Sequence, residues 1–128
     1  MPNVLLIEPD RRLAATYQKA LQAVGHAVTA ASGAQSAITA ADKTKPDLVI
    51  LELQLVGHSG IEFLYEFRSY LDWQDTPVII QSQVPPGEFS DSRQLLAQEL
   101  GVKAYLYKPH TTLRRLLAEV NEFIPVTA

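Results

Sequence analysis

Leu48-Val49-Ile50-Leu51 constrains this chain more than any other stretch. The run is apolar at every position, so it has no polar face to turn toward water. Pro46 and Asp47 precede it and the acid Glu52 follows it, which holds it to the length of a strand. A strand buried on both faces belongs in the middle of a parallel sheet, with helices packed above and below. Such a strand also delivers the side chain that follows it, Glu52, to one edge of the sheet.

The remaining segments supply the layers that this strand requires. Val4–Ile7 is a second short apolar run, ended by Pro9, and reads as a strand. Arg11 to Val24 carries Leu13, Tyr17, Ala20, Leu21 and Val24 at three- and four-residue spacing, which predicts a helix opened by Asp10 and ended by Gly25. His26–Ala30 reads as a weaker strand, and Ser32 is placed to cap a helix over Ala34–Ala41. Lys43 to Pro46 is a loop. Ser59, in the turn Gly57-His58-Ser59-Gly60, can cap a helix from Ile61 to about Tyr70, with Ile61, Leu64, Tyr65 and the 67–71 stretch on its buried face. Asp72–Thr76 reads as a loop, Val78–Gln81 as a strand and Val84-Pro85-Pro86-Gly87 as a rigid turn. Asp91–Leu100 reads as a helix ended by Gly101, Lys103–Tyr107 as the fifth strand, and Leu113–Phe123 as a last helix capped by Thr111 or Thr112.

Five strands alternating with five helices through short loops predict right-handed crossovers and a doubly wound five-stranded parallel sheet, (βα)5, in three layers. The 128 residues suffice for one domain, with a core over about 3–123. Apolar residues at 47% against 20% charged exclude a disordered chain, and a net charge of −3 argues against nonspecific nucleic-acid binding. Without cysteine there is no disulfide frame, thiolate metal site or cysteine nucleophile. The start lacks a cationic leader, and no apolar run approaches the roughly 20 residues that span a bilayer, so a cytoplasmic protein with no membrane association is expected.

In open parallel sheets the chemistry gathers at the carboxyl ends of the strands. Here those ends carry Glu8 with Asp10, then Glu52, then Ser82, then Lys108-Pro109. The motifs Val4–Asp10, Pro46–Leu55, Thr76–Ser82 and Gly101–Pro109 stand in an order and spacing that resemble the receiver domain of bacterial response regulators, the CheY-like family, over about Asn3 to Phe123. That resemblance implies the flavodoxin-like three-layer sandwich already reached from periodicity.

It further implies a phosphorylation site in which an acidic pair, an acceptor aspartate and a backbone carbonyl two residues beyond it hold Mg²⁺. Mapped here, the metal set is Glu8, Glu52 and Gln54, with Asp10 as a further candidate, the switch hydroxyl is Ser82, the switch aromatic is Tyr105 and the family's lysine is Lys108. Three departures bear on function. Glu52 stands where the family has its phosphoacceptor aspartate, Pro9 replaces the second acid of the pair, and Gln83 replaces a small residue after the switch hydroxyl. Magnesium needs near-octahedral oxygen geometry at about 2.0–2.1 Å, and a misplacement of an ångström can cost on the order of 10²-fold in rate. Magnesium binding is therefore expected to be weak or lost, with no other cofactor.

The expectation is an atypical receiver, a pseudo-receiver and not an enzyme, that signals by protein contact without accepting phosphate. Glu52 would extend to Lys108 and Ser82 and hold one signalling state. The contact surface for a histidine kinase or a downstream effector would lie within 91–123, where homodimerisation is also plausible, with Phe89, Tyr107 and the Arg114-Arg115 pair as contributors and no direct contact with nucleic acid. No output domain lies within these residues. One alternative is a working phosphoacceptor that uses Glu52 or a neighbouring acid with Mg²⁺. A distant one is a flavodoxin-like flavin carrier, disfavoured because the acids after the first strand would repel a phosphate. Each site residue also has a plainer reading. Glu8 and Asp10 can serve the first helix dipole, Glu52 and Lys108 can be solvated, Ser82 can be an ordinary strand-end hydroxyl, and Tyr105 can be a core aromatic. His26, His58 and His110 read as structural or surface residues.

Overall fold

The computed structural model describes residues 1–87 and 94–124. Five strands, β1 (Asn3–Ile7), β2 (Ala27–Ala31), β3 (Leu48–Leu51), β4 (Val78–Ser82) and β5 (Val102–Tyr107), form one sheet in the order β2-β1-β3-β4-β5. Every pairing is parallel. The helices are α1 (Arg11–Ala23), α2 (Ala34–Lys43), α3 (Gly60–Ser69) and α4 (Leu113–Phe123), with a five-residue π-helical turn at Leu95–Glu99. The predicted Asp91–Leu100 helix falls partly on residues outside those described. Its remainder is wound as a π-turn, closed by the Leu100 N–H on the Leu95 carbonyl at 3.0 Å.

The alternation of side chains along each strand divides the core in two. Leu5, Ile7, Val49, Leu51, Val78 and Ile80 face α2, α3 and the π-turn, with Phe63, Leu64, Phe67 and Trp73. Val4, Leu6, Leu48, Ile50 and Ile79 face α1 and α4, with Tyr17, Leu21, Leu116 and Val120. All four residues of β3 are buried, as a strand with two covered faces must be. The strand order reverses at β1, which places the ends of β1 and β3 side by side.

One irregularity lies between β4 and β5. Val78 pairs with Val102, but Ile79 pairs with Ala104, so Lys103 is an extra residue in the ladder and lies exposed. After it, Tyr105 stands beside Ile80 and Tyr107 beside Ser82.

Several local expectations shift. His26 lies just outside β2, fully buried, with its Nε2 3.3 Å from Asn121 Oδ1 on α4. Val24 and Tyr65, expected on buried helix faces, are exposed, because Ala14, Tyr17 and Leu21 make the inner stripe of α1 and Phe63, Leu64 and Phe67 that of α3. Ser32 does not cap α2; the Gly33 N–H donates to Ser36 Oγ at 3.3 Å instead. Ser59 and Thr112 cap α3 and α4 through the Glu62 and Arg115 N–H groups, each at 3.1 Å. Part of the expected 72–76 loop is a 3₁₀ turn, Leu71–Trp73, which brings Trp73 under Phe67. Arg68 donates to the carbonyls of Trp73 and Leu100 at 2.5 and 2.8 Å, tying α3 to the turn before β5. Gly101 in that turn has φ +66°, a conformation that L side chains rarely adopt.

Candidate functional site

Four side chains meet at the carboxyl edge of the sheet. Glu8 follows β1, with its N–H on the Ala31 carbonyl, and Glu52 follows β3, with its N–H on the Ile7 carbonyl, both at 3.0 Å. Ser82 ends β4 and is fully buried, and Lys108 follows β5. The loop after β3 folds back on itself. The Gly60 N–H donates to the Leu53 carbonyl at 2.7 Å, and a Cβ on Gly60 would lie 2.8 Å from the Leu53 Cα. Only glycine permits that approach.

Lys108 Nζ donates to Glu8 Oε1 at 2.6 Å and to Glu52 Oε1 at 2.7 Å, with all three side chains almost wholly buried. Glu52 takes further donors. The Ser82 hydroxyl and the Gln54 N–H bond Oε2, the latter at 3.1 Å, and the Gln83 N–H bonds Oε1 at 3.2 Å. Both oxygens of Glu52 are thus doubly engaged. Charge-assisted bonds of this kind are about twice as strong as neutral ones.

Burial acts to raise the Glu52 pKa. The hydrogen bonds from Lys108, Ser82 and Gln54 and the Lys108 charge outweigh it and hold the carboxyl below its ordinary 4.5. Burial acts to lower the Lys108 pKa, and bonding to Glu52 and Glu8 outweighs that, holding the ammonium above its ordinary 10.5. The Glu52 contribution to stability is present above 4.5 and is lost as pH falls through the depressed folded value. The Lys108 contribution is present below 10.5 and is lost as pH rises through the raised folded value. Thermal melts across pH should therefore show a plateau between these limits. Glu52→Gln should flatten the acid limb, and an acid limb unchanged by that substitution would refute this assignment.

Asp10 and Tyr105 direct their side chains to partners outside this cluster. Asp10 is the N-cap of α1, with Oδ1 accepting from the Arg12 and Leu13 N–H groups at 2.9 and 3.1 Å. Tyr105, half-buried, donates its hydroxyl to the Val84 carbonyl at 2.6 Å, and the Val84 N–H donates to Ser82 Oγ at 3.0 Å. Gln54 and Gln83 enter through their backbone N–H groups, and both residues are exposed. Sequence reasoning missed these two donors, since every non-proline residue carries the same N–H. His58 pairs with Glu62 at 3.3 Å on the surface, and His110 packs edge-on to Tyr107. Arg115 pairs with Glu119, Arg114 is exposed, and Phe89 lies outside the described residues.

Residues 4–121 match the response regulator receiver domain family. The chain is a response regulator receiver domain. It is 34% identical over 109 residues to the KDP operon transcriptional regulatory protein KdpE of Escherichia coli (strain K12), a match covering 85% of this chain and 45% of that protein. The chain spans about half the length of the curated relatives it matches, with shares of 45%, 48% and 50% for the first three. Among solved structures, the receiver superposes on the chemotaxis protein CheY4 of Vibrio cholerae with a TM-score of 0.84 at 21% identity, covering 97% of this chain and 99% of that one. It superposes on the non-phosphorylated HemR receiver domain of Leptospira biflexa with a TM-score of 0.82 at 25% identity, covering 100% and 98%. Receiver domains are the signalling modules of two-component systems and act with histidine kinases and effectors.

The family's magnesium does not fit the residues this receiver presents. Each oxygen of Glu8 and Glu52 already accepts a hydrogen bond from the protein; Glu8 Oε2 takes the Asp10 N–H at 3.0 Å. Pro9 has no side-chain donor atom, and Asp10 Oδ1 is committed to its cap. Among the described residues, no three His, Asp or Glu side chains group as a metal site. Magnesium demands near-ideal octahedral oxygen geometry, which this donor set does not provide. No described helix is long and apolar enough to cross a membrane.

Proposed function

We propose that this receiver domain, residues 1–128, signals by protein–protein contact without accepting phosphate, and that the Glu52 carboxylate occupies the position of the phosphoryl group in a working receiver. The observation that carries this reading is the set of donors on Glu52: the Lys108 ammonium, the Ser82 hydroxyl and two backbone N–H groups. A carboxylate held by an ammonium, a hydroxyl and amides satisfies the same groups that would stabilise a transferred phosphoryl group. The hydrogen-bonded path from Glu52 through Ser82 and the Val84 peptide to Tyr105 supports a single, fixed switch state of the active-like kind. The domain is then a binding module rather than an enzyme. Its partner, a histidine kinase or an effector protein, docks on the surface built from the π-turn, β5 and α4, within the 91–123 region.

Incubation with acetyl phosphate and Mg²⁺, read by intact mass, tests the proposal. The expected result is no added phosphoryl group, while Glu52→Asp, which shortens the arm and frees the donors, is the control for chemical competence. A phosphorylated wild-type species at high yield would sink the proposal and restore a working phosphoacceptor on Glu52 or a neighbouring acid.

A further inference from the structure

We infer that the Lys108 ammonium does, from within the chain, the electrostatic work that a divalent cation does in this family, so that the pocket keeps one arrangement whether or not magnesium is in solution. The inference deepens the proposed function and rests on its reading of Glu52 as fixed.

Lone pairs and charges balance in the pocket through the protein's own groups. Two buried carboxylates, Glu8 and Glu52, lie close enough to share one cation, and Nζ lies 2.6 and 2.7 Å from one oxygen of each. An ammonium needs only three acceptors, and two carboxylates nearly satisfy it. A divalent cation on the same oxygens must break the Lys108 bonds, gather further oxygens and stand beside a fixed positive charge. Position 9 is proline and offers no side-chain oxygen, and Asp10 Oδ1 is engaged by the first turn of α1. The Gln54 N–H meanwhile donates to Glu52 Oε2 and takes up one of its lone pairs. Together these features leave both Glu52 oxygens doubly bonded and put a protein donor on each Glu8 oxygen.

The Gln54 and Gln83 amides bond Glu52 directly and are therefore reporters inside the pocket. The experiment is a manganese titration of ¹⁵N-labelled protein, in which a bound paramagnetic ion erases nearby amide signals. In the wild type, the Gln54 and Gln83 signals should fade no faster than those of the exposed Asp72 and Asp75 amides. In Lys108→Met, which removes the internal cation and keeps about the length of the lysine stem, they should be lost selectively and saturably. Selective, saturable loss in the wild type overturns the inference, and the wild-type titration stands whether or not the variant folds. A folded Lys108→Met protein whose pocket stays silent also overturns it, because the carboxylate pair would then not be a cation seat. Metal binding without phosphate uptake would refute this inference alone, whereas phosphate uptake would refute the proposed function.

Discussion

Lys108→Met should lower the unfolding free energy by about 3–5 kcal/mol near neutral pH, the range seen when one partner of a buried ion pair is removed. The methionine fills most of the volume of the lysine stem, so little apolar packing is lost. What disappears is the single cation that compensates two acids, each at or below 4% exposed. Both are then left charged in a poorly solvated site, and the variant relieves the strain by protonating. The loss should therefore shrink as pH falls, because a neutral glutamic acid no longer needs the ammonium. Urea unfolding at neutral and mildly acid pH measures this. A loss below about 1 kcal/mol, the value of an exposed pair, would mean that the triad is solvated after all.

Phe67→Ala should cost a similar amount, about 3–5 kcal/mol, for a different reason. Phe67 is fully buried and packs between Phe63, at 5.3 Å between ring centroids, and Trp73, at 4.9 Å and nearly parallel. Truncation removes the transfer free energy of the ring and leaves a cavity lined by two rings that cannot collapse onto alanine. No ionisable group takes part, so this loss should be the same at both pH values. The pair of variants thus separates packing from electrostatics in one set of unfolding curves. A loss under 1 kcal/mol for Phe67→Ala would show that Trp73 refills the space.

The architecture was legible because it follows from periodicity. Leu48–Leu51 announced a doubly covered strand, and strand ends in such sheets are where chemistry collects. Glu8, Glu52, Ser82 and Lys108 could be brought to one edge on that ground, and the structure places them within bonding distance of one another. The details that were not legible share a cause. The Gln54 and Gln83 amides are backbone groups without a sequence signature. Asp10 had two uses open to it, and the geometry of the first turn of α1 decided for the cap. Tyr65 fits the helical spacing of a buried face, but a stripe can be drawn through α3 in more than one way, and Phe63 and Phe67 fill the interior first. The π-turn at Leu95–Glu99 is wound by i to i+5 bonding, which a 3.6-residue period does not predict.

The extra residue at Lys103 sets the phase of everything downstream of it. Before it, Val102 belongs to the α2–α3 side of the sheet; after it, Ala104 and Leu106 turn to the α1–α4 side, and Tyr105 to the other. Were Lys103 instead paired regularly with Ile79, that parity would invert. Tyr105 would be aimed away from the Val84 carbonyl, and the ammonium two positions past Leu106 would be carried forward by about 3.3 Å, beyond the carboxyl edge of the sheet. A lone irregularity on the sheet's rim thereby takes up the residue that would otherwise carry the amine past both acids.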